Sequence, residues 1–110
     1  MGKNCEVGSG VELKNCVVMD NTQIGRLSFI GDSVLGEKVD IGSGCLTVNR
    51  SVDWKPISVK NGKHPASTGM SKLGAFLGDG VVVGAGNMIQ PGTVVHSGKI
   101  IPACYSVTHR

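Results

Sequence analysis

The residues with the plainest chemistry are basic and lie close together. Arg50, Lys55, Lys60, Lys63 and Lys72 share one stretch with a single acid, Asp53, a local charge of +4 within a chain of net charge +3. Guanidinium and ammonium groups grouped in this way suit phosphate or carboxylate recognition. The overall charge is too small to point to nucleic acid as a partner. Trp54, beside Lys55, offers a surface on which an adenine or a sugar could stack, or which a neighbouring subunit could cover. His64 in the same stretch, His96 and His109 are side chains able to take a proton near neutral pH, although most lone surface histidines do no chemistry. Cys5, Cys16, Cys45 and Cys104 form no C-x-x-C pair and no histidine stands at ligand spacing to them, so no metal site is expected. Reduced thiols in a cytoplasmic protein are expected instead. No apolar run approaches membrane-spanning length and the N-terminus lacks the apolar region of a signal peptide, so no membrane partner is expected.

The elements that must position these residues are written in the last third of the chain. Leu77, Val83, Ile89, Val95, Ile101 and Val107 recur at a step of six. Gly78 and Gly84 follow the first two, and Gly80, Gly86, Gly92 and Gly98 stand three residues after the first four. A period of six belongs neither to a helix nor to a hairpin sheet. It is the mark of a parallel β-helix, in which each hexad is one face of a prism and three hexads close a coil. The inward aliphatic residue stacks on its equivalent in the next coil, and glycine is expected where the backbone turns with positive φ. With one Trp, one Tyr and two Phe in 110 residues, the core must be built from Val, Ile, Leu and small side chains. Cys45, fifth in its hexad, is expected to be one of them.

Towards the N-terminus the hexads start at Met1, Val7, Leu13 and Met19. The register then slips by one to Ile24-Gly25 and Ile30-Gly31, and again to Leu35-Gly36 and Ile41-Gly42. Each slip shortens one face, and marks either a site or a tolerated corner deletion. From about residue 48 to 76 the pattern vanishes. Ile57 to Lys60 and Lys63-His64 flank Asn61-Gly62, which predicts a hairpin with a type I′ turn, bounded by Pro56 and Pro65. The stretch reads as an inserted loop carrying a β-hairpin, and insertions in repeat proteins cluster on the functional face. Neither end shows an amphipathic capping helix. The chain is therefore expected to be a fragment of a longer protein, or to have its ends covered by a partner.

Three blocks carry a resemblance: Leu27-Ser28-Phe29-Ile30-Gly31-Asp32; Asp40-Ile41-Gly42-Ser43-Gly44 with Asn49; and Lys72-Leu73-Gly74-Ala75-Phe76-Leu77-Gly78. From about Val7 onward the chain resembles the left-handed β-helix acetyltransferase domain of bifunctional sugar-1-phosphate nucleotidylyltransferases, the uridylyltransferase/glucosamine-1-phosphate N-acetyltransferase enzymes, in their archaeal form. The resemblance implies an all-β, single-stranded left-handed parallel β-helix of about four to five coils, assembled as a homotrimer. It also implies acetyl-CoA and an amino-sugar phosphate bound between subunits. In that family a histidine before the first block is the general base; here Arg26 stands there, and a guanidinium cannot accept the proton. Losing a general base costs on the order of 10²–10⁴-fold in rate, and His64 is the candidate substitute. The family's tyrosine is Phe29 and its asparagine before the second block is Asp40, which would repel a phosphate unless paired, with Arg26 as the available cation. Asn49 and Lys55 match the family's asparagine and lysine and would position substrate and neutralise phosphate. Lys72, Ala75 and Trp54 are the candidate cofactor contacts. The expected function is therefore an acetyltransferase-like domain with an altered constellation; the alternative is a non-catalytic trimerisation or regulatory domain of a sugar-phosphate nucleotidylyltransferase. A metal-bearing trimer on the same scaffold would need histidines at matched coil positions, which His64, His96 and His109 do not occupy.

Overall fold

The computed structural model describes residues 1–50, 53–61, 64–104 and 106–107. The chain winds as a left-handed β-helix with three faces. The first face stacks β1 (Glu6–Val7), β4 (Gln23–Ile24), β7 (Asp40–Ile41), β12 (Val82–Val83) and β15 (Ile100–Ile101). The second stacks β2 (Glu12–Lys14), β5 (Phe29–Gly31), β8 (Leu46–Thr47), β13 (Met88–Ile89) and β16 (Ser106–Val107). The third stacks β3 (Val17–Val18), β6 (Val34–Leu35), β11 (Phe76–Leu77) and β14 (Val94–Val95). Every pairing within these faces is parallel.

The inward columns are aliphatic because each coil must bury its inner face on the next. Ile24, Ile41, Val83 and Ile101 line the first face, Ile30 and Ile89 the second, and Val18, Leu35, Leu77 and Val95 the third, all buried. The slip in register lies one corner earlier than the hexad count places it. Val18, not Met19, is the buried residue; Met19 and Met1 are exposed. Val17, Val18 and Met19 are all apolar, so a hexad counted from Met1 runs on to the wrong one.

Coil length follows from the pairing. Ile24 pairs with Val7, 17 residues back, and Ile101 with Val83, 18 residues back. Both short turns, between Leu13 and Val18 and between Ile30 and Leu35, fall at the corner joining the second face to the third. The insertion leaves from that same corner one coil later, between β8 and β11. Its β9 (Ser58–Asn61) pairs antiparallel with β10 (His64–Ser67). Asn61 pairs with His64 and Pro65 with Lys60, so Asn61 belongs to the strand rather than the turn and Pro65 lies inside β10. The connecting residues, and the predicted type I′ turn with them, lie outside the described residues.

Glycine serves two needs. Gly80, Gly86, Gly92 and Gly98 have φ between 71° and 78°, the turning role expected. Gly78 does not; a Cβ there would meet Ser97 N at 2.6 Å, so it permits close approach of successive coils. In the N-terminal coils the turns use Asn15, Asn21, Leu27, Asp32 and Lys38 with φ from 49° to 61°, and Asn and Asp tolerate this best. Core polar groups are paired. Asn87 donates to Gly84 O at 2.7 Å and Pro102 O at 2.8 Å, and no buried side-chain polar atom among the described residues lacks a partner. Cys45 is fully buried and donates to Gly84 O at 3.2 Å.

Candidate functional site

Phe29 and Asn49 come together on the second face. Phe29 points outward from β5, with Leu46 of β8 above it in register. Gly31 makes room for the ring: a Cβ there would meet Phe29 ring carbons at 2.6 and 2.7 Å and Asn49 Nδ2 at 3.0 Å. Above the ring lies a groove of about 370 Å³ lined by Phe29, Leu46, Thr47, Val48, Asn49 and Arg50.

The corner beside this groove is closely tied. Asn49 Nδ2 donates to Asp32 Oδ2 at 2.8 Å. Leu73 N–H donates to Asn49 O at 2.8 Å and Gly74 N–H to Asp32 O at 2.7 Å. Ser33 Oγ accepts from Ala75 N at 2.9 Å. The returning end of the insertion is thereby fastened to two successive coils. Its hairpin rests on the coil above: Ile57 is buried, and a Cβ at Gly92 would meet Ser58 O at 2.6 Å.

Over the groove's rim, Arg50 places its guanidinium 4.3 Å from the centroid of Trp54, and Lys72 Nζ lies 5.8 Å from it. The indole is 52% exposed and joins the outgoing and returning limbs of the insertion. Lys55 sits in an exposed ion pair with Asp53, 3.7 Å long, a contact of small energetic weight.

The remaining candidates lie apart. Asp40 is on the first face, in a separate groove of about 290 Å³ with Glu6 and Gln23. Arg26 is exposed at the corner between the first and second faces, and among the described residues it forms no ion pair with Asp40. Ala75 is fully buried, its N–H held by Ser33 and its carbonyl by Val34 N–H at 2.9 Å, so, against expectation, it has no exposed surface to offer a cofactor. His64 has its backbone in β10 opposite Asn61; its side chain, and all of His109, lie outside the described residues. His96 is exposed on the rim of a groove of about 220 Å³ on the third face with Phe76 and Val94. Two contributors escaped the sequence reading: Asp32, visible only as part of a block, and Arg50, counted only as charge. Burial pushes the thiols of Cys16 and Cys45 above their ordinary value of 9.0. Among the described residues no cluster of His, Cys, Asp or Glu is placed to hold a metal ion.

Chemically, the groove offers an apolar wall, one amide and one guanidinium. None of its lining residues is an Asp, Glu or His able to take a proton near neutral pH. The profile of the GMPPB C-terminal domain family matches residues 1–65. The chain belongs to that family. It is also 38% identical to a bifunctional sugar-1-phosphate nucleotidylyltransferase/acetyltransferase of Sulfurisphaera tokodaii, over 83% of this chain and 26% of that protein. It is 36% identical to the bifunctional protein GlmU of Methanococcus maripaludis, over 92% of this chain and 24% of that protein. The chain thus spans about a quarter of the length of these relatives. Among solved structures, a maltose O-acetyltransferase from Clostridium difficile 630 superposes with a TM-score of 0.73 at 19% identity, covering 99% of this chain and 58% of that one. A variant of AntD, an N-acyltransferase from Bacillus cereus in complex with dTDP-4-amino-4,6-dideoxyglucose and coenzyme A, gives 0.53 at 12% identity, over 97% and 74%. The solved structures establish the β-helix fold.

Proposed function

We propose that this domain binds an amino-sugar 1-phosphate in the Phe29–Asn49 groove and N-acetylates it from acetyl-CoA. The observation that carries the reading is the groove itself, formed by two successive coils at the foot of the basic insertion. Trp54 and Lys72 on the rim are the contacts assigned to acetyl-CoA, and Lys55 neutralises phosphate. In the reaction the sugar amine attacks the thioester carbonyl, the C–N bond forms, the C–S bond breaks, and coenzyme A leaves as the thiol. The proton shed by the amine needs an acceptor that the described lining of the groove does not supply. Asp40 lies on the first face and Arg26 at its corner with the second, away from the corner that holds Asn49, so we propose that a homotrimer, in the cytoplasm, completes the site with a neighbouring copy.

The test is thiol release from acetyl-CoA with glucosamine 1-phosphate at high protein concentration. Release that depends on the sugar phosphate supports the reading, and His64→Ala then asks whether the hairpin supplies the base. Release no faster than the uncatalysed background refutes it. Lys55→Ala should weaken sugar-phosphate binding; an unchanged affinity removes Lys55 from the site.

The missing proton acceptor favours a second reading. Here the chain is the assembly or regulatory domain at the C-terminal end of a sugar-phosphate nucleotidylyltransferase. It predicts trimers by light scattering and sugar-phosphate binding by calorimetry without thiol release. A monomer at all concentrations would sink it.

A further inference from the structure

Asp32 stands outside the constellation just described, yet it decides which way Asn49 faces. An amide's oxygen and nitrogen are told apart by their partners. An ionised carboxylate only accepts hydrogen bonds, so the atom 2.8 Å from Asp32 Oδ2 must be the Asn49 nitrogen. The Asn49 side-chain oxygen, Oδ1, accepts no hydrogen bond among the described residues. Because no buried side-chain polar atom among the described residues lacks a partner, that oxygen is not fully buried, and it belongs to a residue that lines the groove. Asp32 is itself well held. It turns with φ 51°, its N–H donates to Lys14 O at 2.9 Å and its carbonyl accepts from Gly74 N–H.

We propose that Asp32 is a positioning residue that locks the Asn49 amide with its carbonyl oxygen towards the groove, so that the groove reads a hydrogen-bond donor, amine or hydroxyl, on the sugar phosphate. The ligand class rests on the reading given under Proposed function; the locked amide does not. A freely turning amide could meet donor or acceptor alike, whereas a locked one rejects an acceptor, because a buried mismatch costs more than a hydrogen bond gains.

The experiment uses the whole chain with the Asn49 side-chain amide followed by ¹⁵N NMR, and two variants. Glycine accepts positive φ without strain, so Asp32→Gly removes the carboxylate while keeping the turn. Asp32→Asn keeps both the turn and an acceptor and serves as the rescue. In the wild type the Asn49 amide protons should exchange slowly and shift on adding glucosamine 1-phosphate. Asp32→Gly should abolish the slow exchange and raise Kd, and KM where turnover exists, by about tenfold with kcat held; Asp32→Asn should restore most of both. Glucose 1-phosphate binding as tightly as glucosamine 1-phosphate assigns the donor to a hydroxyl; weaker binding assigns it to the amine. Unchanged amide exchange in Asp32→Gly overturns the proposal, as does a wild-type Asn49 signal unmoved by either sugar phosphate. Absence of turnover with the Asn49 shift intact defeats only the acetyltransferase reading.

Discussion

Asn49 does two jobs with different atoms: its main-chain carbonyl closes the insertion and its side chain is held beside the groove. Such residues make the corner intolerant of added bulk. A Cβ at Gly74 would run into Gly31 O and Ser33 Oγ, and both are fixed by hydrogen bonds. Gly74→Ala should therefore cost about 2–4 kcal/mol by chemical denaturation. The thiols offer a second check. Folding raises the Cys16 and Cys45 values through burial, so the folded state holds these protons more tightly than the unfolded chain. Their contribution is fully present below pH 9.0 and is lost as pH rises through the folded value. Tm should decline above that pH, and Cys45→Ala should flatten the decline. Exposed Cys104 should react with a thiol reagent long before Cys45. At this scale Phe29 and Asn49 were legible from their blocks. Asp32 as the partner of Asn49 was not, because a separation of 17 residues means contact only once the coil length is known.

At the scale of elements, the insertion is held by its root more than by its rim. Ile57 is 5% exposed, and its carbonyl accepts from Thr68 N–H at 2.9 Å and Thr68 Oγ1 at 2.6 Å. Ile57→Ala should cost about 2 kcal/mol and speed hydrogen exchange at Thr68 while leaving Val83 and Ile89 protected. The cation–π contacts on the rim are exposed and worth about 0.5–1 kcal/mol. Trp54→Ala should therefore barely move Tm, and any large loss of acetyl-CoA affinity in that variant would measure ligand contact. The hairpin was readable from Asn-Gly between β-forming residues, but its register was off by one residue, since several pairings satisfy so polar a segment. The slip in the coils was readable as an event. Its position was not, because three apolar residues in a row leave the inward one undetermined.

Across the whole molecule, protection is uneven. Along the first face Val7 is 41% exposed, while Ile24 is 3% and Ile41 1% exposed. Each coil is stabilised by its neighbours, and the first has a described neighbour on one side alone. Ile41→Ala should cost about 2–5 kcal/mol, and Val7→Ala about 1 kcal/mol or less. Native-state hydrogen exchange should show β1, β2 and β3 opening before β7 and β12. The prism itself was the most legible feature, because a period of six with aliphatic side chains has few other physical solutions.

One feature of the corner reaches further. The excursion that departs after Asn49 returns at Leu73, and the two are joined by a 2.8 Å hydrogen bond. A segment whose ends meet is an interchangeable cassette. Its length and contents can drift, be exchanged for a tight turn, or be replaced by a foreign peptide, while the stacked coils beneath keep their register. What the excursion carries is in that sense separable from the coils that hold it.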